Sequence, residues 1–209
     1  MCDLVARTGR HQQRYEAGCR LVAGGPMKHM FPNIIPSSVS VCKSPPPWVD
    51  PVEVDTLRCI PYRYRQSIEC TSDSDEKIVE VLMINSTSGP GLLFPKGGWE
   101  NDETVEAAAV REAIEEAGVK GELKDLLGHY DFKSKTHQDE FCPEGLCKAA
   151  MFALFVREEL ESWPEQSIRQ RSWLTIPEAV ESCRHPWMRD ALVHGFLNWH
   201  AEKSEEAFD

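Results

Sequence analysis

Three glutamates stand close together in the run from Asp102 to Ala117, Glu112 three residues before Glu115 and four before Glu116. Wound as a helix, that spacing brings all three carboxylates to one side. Crowding like charges costs a helix about 0.2–0.5 kcal/mol per pair, a cost that bound cations offset. Oxygen-only donors in a site that also admits a phosphate chain suit Mg2+ or Mn2+ better than zinc. Just upstream, Pro95-Lys96-Gly97-Gly98 offers unhindered backbone N–H groups and a lysine beside a helix start, an arrangement that can receive a phosphate oxygen. An acidic helix face alone reads more simply as solvated surface. The Gly-Gly loop before it tips the reading toward a metal-and-phosphate site.

These residues need elements to position them. A helix is expected from Asp102 to Ala117, with Asn101 or Asp102 as its N-cap, Glu103 and Glu106 at its positive end, and a Schellman stop at Gly118-Val119. Lys77–Asn85 alternates as a firm strand, Leu92–Phe94 is a short buried one, and Leu126–Lys133, Lys148–Val156 and Ser172–Leu174 follow. Arg20–Ala23 and Cys59–Arg65 also read as strand. Pro177–Cys183 and Trp187–Trp199 read as helices, and the acidic tail Ala201–Asp209 is expected to fray. Strands and helices mix without a regular βαβ repeat, so the fold class is α/β (α+β), a mixed sheet with helices around it. Gly25 to Arg58 stands apart, with seven of the fourteen prolines and no apolar period. It is expected to loop out, partly polyproline-like or disordered. Deleting it is then expected to leave the fold intact.

The stretch Gly97 to Val119 resembles the Nudix box, G-x5-E-x7-R-E-U-x-E-E-x-G-U, at every fixed position: Gly97, Glu103, Arg111, Glu112, Glu115, Glu116 and Gly118. The chain also resembles the diphosphoinositol and diadenosine polyphosphate phosphohydrolases of that family, in particular plant-type members. The likeness rests on Phe94-Pro95-Lys96-Gly97-Gly98-Trp99-Glu100, Glu115 to Gly121, Glu159 to Pro164, the start from Arg7 to Glu16, and Arg171 to Thr175. It implies a Nudix fold, a mixed sheet sandwiched between helices, that hydrolyses a diphosphate linkage with Mg2+ or Mn2+. Glu112 and Glu116 would ligate the metal, and Glu115 would be a ligand or the general base. Arg111 would pair with Glu103 or a neighbouring carboxylate, while Lys96, Gly97 and Gly98 would line the phosphate chain. By the same resemblance the chain divides into an arm (1–24), the Pro-rich insertion (25–58), the hydrolase domain (59–200) and the acidic tail (201–209). Rival readings are another Nudix substrate (ADP-ribose, NADH, an oxidised nucleotide or an RNA cap) and a binding module impaired by the insertion.

The chain is 209 residues with a net charge of −11, too acidic to track nucleic acid by bulk charge. Residues 100 to 122 hold eight acids against Arg111 and Lys120, so more than half the excess gathers around one short helix. The acidity thus marks where metals are expected, not that phosphates are excluded. Basic residues elsewhere, Arg14, Arg20, Lys133 and Arg171, are candidates to receive the phosphates of a small-molecule substrate. No apolar run reaches membrane-spanning length. Eight scattered cysteines without a CxxC pair read as free thiols in a reducing compartment, so the protein is expected in the cytoplasm, nucleus or mitochondrion.

Overall fold

The computed structural model describes residues 15–16, 19–20, 56–66, 77–98, 100, 102–133 and 146–206. Two short strands, β1 (Tyr15–Glu16) and β2 (Cys19–Arg20), pair antiparallel. All other strands join one sheet. It is built from β3 (Thr56–Gln66), β4 (Lys77–Asn85), β5 (Leu92–Leu93), β6 (Lys96–Gly97), β7 (Val119–Lys133), β8 (Leu146–Glu159) and β9 (Arg171–Thr175). The order is β5-β4-β3-β8-β7, with β6 added to β3 and β9 to β4. Among the described strands only β3 and β8 pair parallel, so the sheet is mixed.

β3 lies at the centre, and its composition explains how. Thr56 to Tyr62 is buried without a break, as a strand covered on both faces must be. Its one proline, Pro61, falls between the stretch paired to β6 (Leu57, Arg58) and the stretch paired to β4 (Tyr62 onward). There the missing N–H leaves no ladder bond broken on that edge. Alternation divides the strand between two layers. Cys59 packs on helix α1 (Val105–Ala117), with its Sγ 3.9 Å from the Ala109 carbonyl. Tyr62, on the opposite face, meets Phe196, Trp199 and His200.

α1 approaches the sheet through Ala108, Ala109, Ala113 and Ala117, all fully buried. Small side chains let the helix axis come close, which carries the glutamates between them to the sheet edge. The other layer comprises α2 (Ile176–Ser182), α3 (Pro186–Asp190), a π-helical turn (Ala191–Phe196) and α4 (Leu197–Glu206). Met188, Ala191, Leu192 and Phe196 from this layer are fully buried.

Four expectations change. The helix opens at Val105 with Thr104 as N-cap, not at Asp102: Thr104 Oγ1 accepts the Ala107 N–H at 3.2 Å, a bond that Asp102, exposed two residues earlier, does not make. Asn101 lies outside the described residues. The helix expected over Trp187–Trp199 contains a π-helical turn and runs on to Glu206. The tail does not fray there, since Ser204 Oγ bonds the His200 carbonyl and Lys203 pairs with Glu206 at 2.9 Å. The Pro-rich segment does not extend to Arg58. Thr56, Leu57 and Arg58 are strand residues paired to both β6 and β8, and their burial makes them core. Residues 25–55 lie outside the described residues. Among the described residues, no helix is long and apolar enough to cross a membrane.

Candidate active site

The site is assembled where β6 meets α1. Leu57 stands opposite Gly97 across β3–β6, and a Cβ built on Gly97 would lie 1.7 Å from a Glu112 carboxylate oxygen. Only glycine lets that carboxylate press against the loop. At the far end of α1, Gly118 takes φ +62° and its N–H reaches the Ala113 and Ile114 carbonyls, closing the helix as a left-handed cap. A Cβ there would also meet the Trp163 ring at 2.5 Å.

Glu112, Glu115 and Glu116 are all buried, at 8%, 8% and 4% exposure. Buried carboxylates need partners, and arginines supply them. Arg111 grips Glu103 with a fork, Nε to Oε2 at 2.9 Å and Nη2 to Oε1 at 2.7 Å. The same guanidinium donates to the Gly98 carbonyl at 2.9 Å, to Glu112 Oε1 at 2.5 Å and to Glu115 Oε2 at 3.4 Å. Burial opposes its charge, but Glu103 and Glu112 outweigh that and hold its pKa well above the ordinary value. Arg111 therefore ties the loop before α1 to the carboxylate face of α1.

Glu116 is held from two other directions. Its Oε2 accepts the Lys96 backbone N–H at 2.8 Å, and Lys96 Nζ stands 3.8 Å from Oε1. Arg169 also donates to Oε1, and its remaining N–H groups reach Glu165 and the Asn85 carbonyl at 3.0 Å each. Nothing in the sequence beyond its neighbourhood to a strand marked Arg169 for this role. The segment that carries it is docked on α1 by Glu165 N–H to the Glu115 carbonyl at 3.1 Å.

The donor set fits a divalent cation by its chemistry. Burial, with Glu116 and Glu115 nearby, outweighs Arg111 and pushes the Glu112 carboxyl up to about 8. A carboxyl in that state has too little positive charge beside it, and a hard cation on oxygen ligands supplies it. In the present arrangement no three His, Cys, Asp or Glu side chains converge as a ready cage among the described residues. The glutamate oxygens are turned to Arg111, Arg169 and Lys96 instead, so a cation has to displace those contacts.

The structure thus brings together Glu103, Arg111, Glu112, Glu115, Glu116, Lys96, Gly97 and Gly98. Arg171 is placed differently: its guanidinium donates to the Gly118 carbonyl at 3.0 Å and lies 4.4 Å over the Trp163 ring. In this structure it serves the C-terminal end of α1, where unpaired carbonyls attract a cation. Lys133 ends β7 with its side chain exposed. Arg20 ends β2, and Arg14 lies outside the described residues.

The NUDIX domain family matches residues 65–194, well over half of the chain. The chain belongs to the Nudix family. Its members hydrolyse diphosphate bonds and as a group use a divalent metal such as Mg2+. The chain is 60% identical to the Arabidopsis thaliana protein named Nudix hydrolase 16, mitochondrial, over 97% of this chain and 94% of that one. It is also 35% identical to a Mus musculus diphosphoinositol polyphosphate phosphohydrolase 3-alpha, covering 60% of this chain and 74% of the relative. Among solved structures, a NUDIX hydrolase from Listeria monocytogenes overlays with a TM-score of 0.50 at 18% identity, over 73% of this chain and 97% of its own. That likeness concerns the fold.

Proposed function

We propose that this Nudix hydrolase cleaves a diphosphate linkage in a polyphosphorylated small molecule, a diphosphoinositol polyphosphate or a diadenosine polyphosphate, with Mg2+ or Mn2+. The observation that carries the reading is the buried triad Glu112, Glu115 and Glu116 beside the Lys96-Gly97-Gly98 loop. The mouse relative named for diphosphoinositol polyphosphates supports the first substrate group. Glu112 and Glu116 would hold the cation, with Glu115 as third ligand or base. A cation held there would supply Lewis-acid polarisation of the diphosphate and a more acidic water. The chain's own residues do the rest. Lys96 and the N–H groups of the glycine loop bind phosphate oxygens, Glu115 accepts the water's proton on its carboxylate, and Arg111 keeps loop and helix in register.

The continuous central strand β3, Thr56–Gln66, supports an enzyme over an impaired binding module. The reading takes a small-molecule substrate and no nucleic acid. It places the protein inside the cell, with the mitochondrion, named for the Arabidopsis relative, tested first.

The test is a Mg2+-dependent turnover panel of diphosphoinositol polyphosphates, diadenosine polyphosphates, ADP-ribose, NADH, oxidised nucleotides and capped RNA, run beside Glu115→Gln and Glu116→Gln. Loss of a base or metal ligand is expected to cut turnover by at least ~100-fold in either variant. Near-normal turnover in both variants would remove the mechanism. Preference for a substrate outside the first two groups would replace the substrate.

A further inference from the structure

Asn85, the last residue of β4, does more than close a strand. Its side-chain amide holds the segment before β9 from both sides. Oδ1 accepts the Gln170 N–H at 2.6 Å, and Nδ2 donates to the Ile168 carbonyl at 3.2 Å. The Asn85 backbone N–H donates to the Gln170 carbonyl at 3.2 Å, and its carbonyl accepts Arg169 Nη1 at 3.0 Å. One residue thus grips its neighbours on both sides of Arg169 and Arg169 itself. The clamp turns a charged side chain inward: Ile168 is 54% exposed, whereas Arg169 is 7% exposed.

Inside, each edge of the Arg169 guanidinium ends on an oxygen. Nε donates to Glu165 at 3.0 Å, Nη1 to the Asn85 carbonyl, and Nη2 to Glu116 Oε1. Glu165 is itself fixed to α1 through its N–H on the Glu115 carbonyl at 3.1 Å. Lys96 also holds Glu116, but its ammonium stands 3.8 Å away and its side chain is half-buried. Arg169 is therefore the nearer positive charge on this buried carboxylate. Such a pair is costly to open, because either partner alone is an uncompensated charge. A divalent cation needs the same oxygen. Two positive groups on one carboxylate oxygen repel, so ligation there weakens or breaks the Arg169 contact.

We infer that Arg169 is the resident counter-charge of Glu116, aimed at it by Asn85, and that a divalent cation has to exchange with it. This exchange presupposes Glu116 as a metal ligand, as proposed above. Arg169 then sets the metal concentration at which the site fills, and Asn85 is a positioning residue that acts through Arg169. The empty site keeps a compensated carboxylate, and the filled site forms against that contact.

The experiment measures Mn2+ affinity by calorimetry on the full chain, for the parent, Glu116→Gln, Arg169→Met, Arg169→Lys, Asn85→Ala and the Asn85→Ala/Arg169→Met double variant. Glu116→Gln is expected to bind Mn2+ at least ~10-fold more weakly. Unchanged binding there would overturn the metal reading and the exchange with it. Arg169→Met is expected to bind about 10-fold more tightly than the parent, the size of one charge-assisted hydrogen bond. Arg169→Lys, which keeps the charge and loses the fork, falls between them and carries the same test if the methionine variant does not fold. Asn85→Ala is expected to tighten binding about 3-fold, the scale of a neutral hydrogen bond, although the Arg169 charge is still present. A merely structural Asn85 would loosen the site and weaken binding, so the sign decides. In the double variant Asn85→Ala adds nothing to Arg169→Met, because both act through one contact. Thermal melts give a second readout: Arg169→Met is expected to melt below the parent without metal and to gain more from saturating Mn2+. Binding that is unchanged or weaker in Arg169→Met and Asn85→Ala, with Glu116→Gln impaired, would overturn the exchange and leave Glu116 a ligand.

Discussion

Two arginines, half-buried Arg111 on α1 and buried Arg58 on β3, are treated in opposite ways. Around Arg111 every direction of the guanidinium ends on an oxygen, from Glu103, Glu112, Glu115 and Gly98. Around Arg58 the Trp187 and Phe132 rings cover the guanidinium, and its Nε and Nη1 atoms have no hydrogen-bond partner. The first is a finished piece of architecture whose removal takes one shared partner from three acids. The second is held by aromatic packing, with part of its donor set unpaired.

Breaking the finished side gives the largest effect. Arg111→Met leaves Glu103, Glu112 and Glu115 without their shared partner, and a loss of about 3–5 kcal/mol in urea unfolding is expected. Turnover should fall at least ~100-fold in the same variant. Arg111→Lys should recover little of either, because an ammonium cannot span the Glu103 fork and the Gly98 carbonyl together. A variant as stable as the parent would show that the network is decoration.

The next test asks whether Arg58 is anchored by core. Leu57→Ala removes a fully buried side chain next to it and should cost about 2–5 kcal/mol. A loss under ~1 kcal/mol would mean that Thr56 to Arg58 do not belong to the sheet in solution. Deleting residues 25–55, which keeps those three residues, should leave the midpoint of unfolding within a few degrees of the parent. A third variant works where the two arginine environments meet. Gly97→Ala forces the Glu112 carboxylate aside, and a displacement of about 1 Å at a reacting centre can cost about 100-fold, so a fall of about 10- to 100-fold in kcat/KM is expected with the fold retained by circular dichroism.

The smallest effect reads the charge of Arg58 directly. His185 has its pKa lowered from 6.5 by burial, then by Arg184 and Arg58. With the folded value below the unfolded one, its neutral form supports the fold fully above pH 6.5. That support is lost as pH falls through 6.5 toward the folded value, where the unfolded chain binds the proton first. Arg58→Met should move the His185 titration, followed by NMR, upward toward 6.5 and soften the acid sensitivity. No movement would mean that the Arg58 charge is already neutralised.

The sequence makes the satisfied side far more legible than the other. Glu112, Glu115 and Glu116 are readable because helical spacing alone puts them on one side, and Gly97-Gly98 because glycines before a helix have few other uses. Glu103 and Arg111 follow from the same motif. Thr104 is hidden, since Asn101, Asp102 and Thr104 are all competent caps and only the path of the chain chooses among them. Arg169 is hidden because its bond to Glu116 spans fifty-three residues that no local pattern links. Arg58 is hidden by context: it closes a window rich in proline, and the three residues of strand at its end are too few to show a period. The π-helical turn inside Ala191–Phe196 leaves no mark either, because Met188, Leu192 and Phe196 keep a helical stripe whether or not the turn widens.

The parallel pairing of β3 with β8 has a consequence for how the molecule comes into being. Thr56 finds its partner Ala149 only after about ninety further residues have been made, and a contact of that span is slow to close. On the ribosome the central strand therefore has β4 and β6 as early neighbours and must wait for its other edge. During that interval the row of N–H and C=O groups on β3 is open to any strand that comes by, including that of another nascent copy. Crowded synthesis, rather than heat or acid, is then the condition under which this protein is most exposed to misassembly, and the buried cation at the start of β3 discourages a foreign strand from settling there.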